Sequence, residues 1–306
     1  MRIFENADFN FVGNRMKAYI FSGILLAMSI VALVTPGVEL GIDFKGGMEF
    51  IVETQETLSV PEVRSALANT LGAEPEVKTY ADVTQGIESL LIRTLPADDI
   101  NAMQATIVNT LESAFPNAQP TVVKTDIVGP RFARDLAEGA VKAVFGSLLV
   151  IFIYILLRFE WRFGVGAVAA LFHDVTITLG LFALLHNIMP FSLQIDQAII
   201  AAFLTIVGYS LNDTVVVFDR VREFTNLFKT EAYGTVVNRS INTTLSRTII
   251  TSGTTLLVVV TLFIFGGEVL KGFAFALIIG VIIGTYSSVF VASPIVVELQ
   301  KRAASK

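Results

Sequence analysis

The stretch AVFGSLLVIFIYILL, residues 143–157, carries no charged side chain and is closed by Arg158. Extended back to about Leu136, past the polar Glu138 and Lys142, it approaches the ~20 apolar residues that an α-helix needs to cross a bilayer. Five more stretches of this kind lie around it. They run from about Ala18 to Val34, where Thr35-Pro36-Gly37 ends the first, then from Phe163 to Leu185, Ile195 to Phe218, Arg247 to Phe265 and Gly272 to Val297. The composition agrees with a bundle dissolved in lipid. Of 306 residues 53% are hydrophobic and 16% charged, with a mean hydropathy of +0.68, where soluble chains carry about 25% charged residues. The absence of cysteine excludes disulfide frameworks, zinc–thiolate sites and cysteine nucleophiles.

Orientation is read from the short loops. Arg2, Arg15 and Lys17, then Arg158 and Arg162, then Arg220, Arg222, Lys229 and Arg239, then Lys301, Arg302 and Lys306 all fall on one side. The opposite short loops, near His186–Gln194 and Gly266–Lys271, hold only Lys271. Positively charged loops stay in the cytoplasm, so both termini are expected to be cytoplasmic. Arg131, Arg134 and Lys142 follow a long translocated segment, where that rule weakens. The first span lacks a small-x-small cleavage site before Pro36 and reads as a retained anchor.

The connector from about Gly37 to Asp135 reads as a domain. It holds 15 Asp/Glu against 7 Lys/Arg, a formal charge of −8. Met48–Thr54 alternates as a strand. Ser59-Val60-Pro61-Glu62 has the form of a capping box, and Val63, Ala66, Leu67 and Leu71 follow at helical spacing up to Gly72. Glu76–Asp82 and Glu88–Leu95 read as strands around a Gln85-Gly86 turn. Asp98 and Asp99 open a second helix, stopped by Pro116, and Thr121–Val128 is a last strand. The order βαββαβ is the ferredoxin-like pattern. The expected layout is therefore residues 1–35 as N-terminus and first span, 36–135 as a periplasmic ferredoxin-like α+β domain, 136–298 as five further spans and 299–306 as a tail.

Polar residues inside the spans are the functional candidates, because charge in hydrocarbon is costly and is kept where it faces a cavity or a partner. Asp213 lies in the fourth span among Ser210, Asn212 and Thr214. His173 and Asp174 lie near the middle of the third. Arg247 opens the fifth, with Thr243 and Thr244 before it and Thr248, Thr251 and Thr254/Thr255 after it. Spacings of three and four set these on one helix face. Opposite charges on two helices suggest a pair that breaks when Asp213 takes a proton, since Arg247 cannot release one. The same two residues could form a static ion pair, and Asp174 could tie helices together by hydrogen bonds with His173. Asp219-Arg220-Val221-Arg222-Glu223 reads as a solvated cap. Asp43-Phe44-Lys45-Gly46-Gly47 reads as a tight turn, and the glycines of spans three and six as points of close helix contact.

Four segments carry a resemblance. Gly41-Ile42-Asp43-Phe44-Lys45-Gly46-Gly47, Leu171-Phe172-His173-Asp174-Val175, the run Gly208–Arg220 and Asn242-Thr243-Thr244-Leu245-Ser246-Arg247-Thr248 together resemble the SecD/SecF family of bacterial protein-export membrane proteins, on its SecF side, over nearly the whole chain. The resemblance implies a membrane fold similar to resistance–nodulation–division transporters. It implies SecD, the Sec translocation channel and the translocating preprotein as partners, within the lipid membrane and without nucleic acid. The implied function is to use the ion-motive force in late-stage preprotein translocation. It further implies that Asp213 and Arg247 are the ion-relay pair, and that the larger substrate-handling domain belongs to SecD. No catalytic residues, cofactor or metal are expected. A small-molecule exporter subunit of the same superfamily and a non-transducing assembly subunit stand as alternatives. A carboxylate with hydroxyl neighbours suits a proton, and Ser210, Asn212 and Thr214 could equally help to hold sodium.

Overall fold

The computed structural model describes residues 7–73, 75–82, 87–97, 99–189 and 191–304. In chain order it has helix α1 (Arg15–Val34), a single helical turn α2 (Ile42–Lys45), strand β1 (Gly47–Glu53), α3 (Val60–Leu71), β2 (Glu76–Asp82), β3 (Ile87–Thr94), α4 (Ile100–Ala114) and β4 (Thr121–Val128). Then come α5 (Pro130–Arg158), α6 (Trp161–Leu185), α7 (Gln197–Leu227), α8 (Tyr233–Phe265) and α9 (Glu268–Ser287). A π turn, Ser288–Ala292, leads from α9 into α10 (Ser293–Ala304). Among the described residues six helical segments are long and apolar enough to cross a membrane, as the sequence predicts. Arg2, the Gln85-Gly86 turn, Asp98 and Lys306 lie outside the described residues.

The helices outrun the expected spans where charge rather than apolarity sets their ends. α7 continues to Leu227, so Asp219–Glu223 is ordinary helix and Asp213 sits near the middle of α7. α8 begins at Tyr233, which puts Arg247 well inside it rather than at its start. α7 and α8, with 31 and 33 residues, are about 46 and 50 Å long at 1.5 Å per residue. Both therefore project beyond a ~30 Å hydrocarbon core. α5 starts at Pro130, whose missing N–H is harmless at a first helical position.

The inserted domain is the expected βαββαβ unit. All its strand pairs are antiparallel and the sheet order is β2-β3-β1-β4. Alternation assigns the two faces. Met48, Phe50 and Val52 of β1, Leu90 and Ile92 of β3 and Val77 of β2 pack on Val63 and Leu67 of α3 and Ile107 and Leu111 of α4. Asp99 caps α4 by accepting from the Ala102 N–H at 3.1 Å. Ser59 stands at the α3 cap position but makes no side-chain cap bond, so the anticipated capping box does not form. Gly72 ends α3 in the left-handed conformation at φ 69°.

The other face of the sheet rests on the bundle. Arg93 of β3 is 6% exposed. Its guanidinium donates to Glu49 at 2.5 Å, to Gln194 of the α6–α7 connector at 2.5 Å and to Glu76 at 3.3 Å. Gln194 donates onward to Glu39 at 3.0 Å and Glu76 at 3.1 Å, and Lys78 pairs with Glu39 and Glu76. Backbone bonds from Gly41 to Ile195 (2.8 Å) and from Ile195 to Glu39 (2.7 Å) lock the same joint. The segment 41–47 is more than the tight turn read from sequence. Asp43 accepts the Gln197 N–H at 3.0 Å, adding a carboxylate to the α7 N-terminus where the helix dipole favours one. Gly47 holds φ 127°, and a Cβ there would lie 2.6 Å from the Thr94 carbonyl oxygen, so only glycine lets the chain turn into β1.

Two expectations follow. A fragment of residues 39–128 melts cooperatively as a soluble mixed α/β unit, because its own core is complete; non-cooperative loss of ellipticity would count against this. In the full chain, Arg93→Met removes the cation between partly buried Glu49 and Glu76 and leaves Gln194 without its donor, weakening docking of the domain by roughly 1–3 kcal/mol. In the fragment that face is solvated, and the same change costs under about 1 kcal/mol. Equal losses in both would show that the joint contributes nothing.

The joint also has a pH signature. Burial pushes the Glu39 carboxyl up, but hydrogen bonds with Glu76, Lys78 and Gln194 and the Lys78 charge outweigh it and hold it at about 2. Glu76 is raised, by burial first and then by its hydrogen bond with, and the charge of, Glu39. Glu39 therefore contributes stability above the ordinary carboxylate value that is lost as pH falls towards about 2. Glu76 acts oppositely: its contribution is present when protonated and is lost as pH rises through its raised value. Glu76→Gln keeps a donor for Glu39 and removes the high-pH loss. Amide exchange at Gly41 and Ile195 should accelerate with rising pH, beyond the intrinsic chemistry, in the wild type but not in this variant.

Candidate functional site

α6 and α7 form the middle of the bundle, with half or more of their most apolar stretches buried within the chain. α5, α8 and α1 lie outside them, with large apolar side chains such as Phe145, Leu157, Leu257 and Val258 exposed. Close approach in the middle depends on small residues. A Cβ at Gly166 of α6 would lie 2.9 Å from the Ala292 carbonyl oxygen, and one at Gly284 of α9 would lie 3.0 Å from the Ser210 Cβ. The glycines of spans three and six thus serve helix contact, as the sequence reading has it.

Two buried carboxylates stand in this close-packed zone. Asp213 is 6% exposed. It accepts from the Thr248 hydroxyl of α8 at 2.7 Å and from the Ser288 hydroxyl at 2.9 Å. Asp174 is 1% exposed. Its Oδ2 accepts from Ser210 of α7 at 2.5 Å and Ser287 at 2.7 Å, and its Oδ1 meets His173 Nδ1 at 2.8 Å. His173 Nε2 lies 3.1 Å from the Ser22 hydroxyl of α1, which is 3.1 Å from the Tyr286 hydroxyl.

The junction of α9 and α10 supplies both sites. Ser287 serves Asp174 and Ser288 serves Asp213, so adjacent residues hold carboxylates on two helices. Ser288 opens the π turn, and the Ser293 hydroxyl donates to its carbonyl at 2.8 Å. A π turn inserts one residue into the helix, turning side chains that α-helical spacing would point elsewhere, and such turns recur at functional sites. Sequence reasoning misses Ser22, Tyr286, Ser287 and Ser288. Serines in an apolar run look like back-bonded hydroxyls, and nothing in local spacing announces a π turn.

Several expected contacts are not made. Arg247 forms no ion pair with Asp213 among the described residues; its side chain is exposed on α8, while the next residue, Thr248, faces Asp213. One step along a helix turns a side chain by about 100°, so Arg247 and Thr248 cannot both point at the carboxylate. Asn212 is exposed on α7. Thr214 is 1% exposed and does not ligate Asp213. Thr244 donates to the Ser240 and Ile241 carbonyls. Thr251 is half-buried and accepts through its carbonyl from Thr254 and Thr255. Thr243, Thr244, Thr254 and Thr255 thus bond back to their own helix, and Thr248 is the member of the stripe that reaches Asp213.

Known proteins share this plan. The family model described as protein export membrane protein SecD/SecF, C-terminal, matches residues 107–302, and the SecD/SecF GG motif matches residues 31–57. The chain is 66% identical over its full length to the protein translocase subunit SecF of Rhodothermus marinus, covering 98% of that protein. It is 40% identical to that of Haemophilus influenzae, over 95% of this chain and 86% of the relative. The crystal structure of SecDF, a translocon-associated membrane protein from Thermus thermophilus, superposes on 99% of this chain with a TM-score of 0.85 and 35% identity. The chain spans 40% of that longer protein.

Proposed function

The chain belongs to the SecD/SecF family of protein-export membrane proteins, and on that footing we propose that it couples an ion gradient to late-stage preprotein translocation, with Asp213 as the ion-carrying group. It acts with SecD, at the Sec translocation channel, in the bacterial cytoplasmic membrane, with both termini cytoplasmic and the acidic domain outside. The likeness of this chain to a part of SecDF supports the SecD partnership. The arginine-rich end opposite the domain supports the orientation.

The observation that carries the reading is the place of Asp213: a carboxylate in mid-bundle, held by one hydroxyl from α8 and one from the π turn. Each state of the carboxyl sets a different demand. The anion accepts from both Thr248 and Ser288. The acid has a proton of its own to donate, so one of those hydroxyls must change from donor to acceptor. Ser288 has a fallback in the Thr285 carbonyl at 3.0 Å. Proton binding thus changes how α7 is tied to α8 and to the π turn, which is the raw material of a conformational switch.

A proton fits this arrangement better than sodium. A hard cation needs several converging oxygens. Ser210 is committed to Asp174 and Asn212 is exposed, which leaves two hydroxyls, Thr248 and Ser288, beside the carboxylate.

The test is translocation by the chain reconstituted with SecD and the channel in vesicles. An imposed proton gradient should accelerate it after ATP is exhausted, and a sodium gradient of equal size should not. Acceleration by sodium alone would replace the proton in this reading. No acceleration by either would favour a non-transducing assembly subunit.

A further inference from the structure

Asp174 and His173 are 1% and 2% exposed, yet Asp213 is the carboxylate assigned above. Their hydrogen bonds can be followed end to end. With a neutral imidazole, His173 Nδ1–H donates to Asp174, the Ser22 hydroxyl donates to Nε2 and the Tyr286 hydroxyl donates to Ser22. With an imidazolium, Nε2–H donates to Ser22, Ser22 donates to Tyr286 and Tyr286 donates to the Ala18 carbonyl at 3.1 Å. Both arrangements satisfy every donor with the same heavy-atom positions. Asp174 keeps its bonds from Ser210 and Ser287 in each. A tie that served packing alone would need only one of them.

We propose that His173 and Asp174 form a second proton-binding site of the bundle, linked to Asp213 through the adjacent serines Ser287 and Ser288. The step is the uptake of one proton from water. An N–H bond forms at His173 Nε2, the Ser22 and Tyr286 hydroxyls reverse direction, and the new positive charge faces the Asp174 carboxylate. The O–H bond of the donating hydronium ion breaks and leaves water, and no other covalent bond changes. Asp174 and Tyr286 are the titratable groups that His173 touches, the ring of Tyr286 stacking on it at 6.1 Å. Ser22 comes from α1, and Ser210 and Ser287 reach Asp174 from α7 and α9. Asp213 is the next charge along α7, three residues beyond Ser210. Because Ser287 on Asp174 and Ser288 on Asp213 are adjacent, the positive charge gained beside Asp174 weakens its pull on Ser287 and, through the shared backbone, alters the hold of Ser288 on Asp213.

The link to Asp213 rests on the reading of that residue given above; the proton site itself does not. The chain has two histidines, His173 and His186. In a His186→Gln background, nitrogen-labelled histidine therefore reports on His173 alone, in the full chain in lipid vesicles. As the pH is lowered its ring should pass reversibly from one neutral tautomer to the imidazolium. Ser288→Ala and Asp213→Asn should each move that midpoint by about half a pH unit or more, the size of a modest change in local interaction. Ser288→Ala leaves both carboxylates in place, which keeps the test open if Asp213→Asn folds poorly. A ring that stays in one neutral tautomer throughout overturns the proposal, and so does a midpoint unmoved in both variants. The readout needs no translocation, so loss of gradient-driven export in Asp213→Asn tests the reading of Asp213 separately.

Discussion

Asp213→Asn is expected to remove all gradient-driven acceleration of translocation while the chain stays folded in the membrane. The substitution keeps size and shape. The asparagine oxygen still accepts from Thr248, and Ser288, whose hydroxyl already has the Thr285 carbonyl within reach, turns away from the new amide. One hydrogen bond to a charged group is exchanged for neutral ones, a cost of about 1 kcal/mol, far too little to unfold a bundle of this size. What is lost is the group that takes and gives up a proton. Translocation in vesicles, with and without an imposed gradient, should give one rate for the variant and two for the wild type. Wild-type acceleration in the variant would end the assignment of Asp213. Loss of the chain from the membrane would instead mark Asp213 as structural.

Arg247→Met should be as damaging to function and nearly silent in stability. A buried ion pair predicts otherwise: removing one partner strands the other charge at roughly 3–5 kcal/mol. The structure sets Arg247 on the exposed face of α8, next to the Thr248 that holds Asp213. Its removal therefore strands nothing within this chain, and the melting free energy should change by no more than about 0.5 kcal/mol. Function should fail, because the positive charge sits one residue from the Thr248 that holds the Asp213 carboxylate, on a face of α8 left open to a partner helix. Arg247→Lys keeps the charge and loses the planar fork, so partial activity is expected. If Arg247→Met lowers stability as much as a stranded charge does, a direct pair forms in the membrane. If function survives, Arg247 belongs to the headgroup region and not to the relay.

Much of this was legible in the residues. The six apolar runs state the spans because lipid leaves the backbone no other solution. The strand and helix signals of the domain lie close to the observed bounds because its core is local and alternates cleanly, as Met48, Phe50 and Val52 show. The candidate site was legible only as a set of residue types. Asp213, Asp174, His173 and Thr248 announce themselves by polarity in hydrocarbon. Who touches whom depends on helix rotation and on the π turn, and neither is encoded in spacing. Ser210 lies three residues from Asp213 and so seemed its companion, yet it serves Asp174. Arg247 drew attention by its charge, while the neutral Thr248 makes the contact. The clip formed by Asp43 on the α7 N-terminus was invisible for the same reason: its partner lies 154 residues away.

The central claim is that the Asp213 carboxyl binds and releases a proton as the gradient is used. Infrared difference spectroscopy of the reconstituted complex measures this directly, with the Asp213→Asn complex as reference. The account predicts a protonated-carboxyl band that is missing in the variant and whose intensity rises and falls as the gradient is imposed and collapsed during translocation. A carboxylate that remains ionised under both conditions, in vesicles that translocate normally, would contradict it.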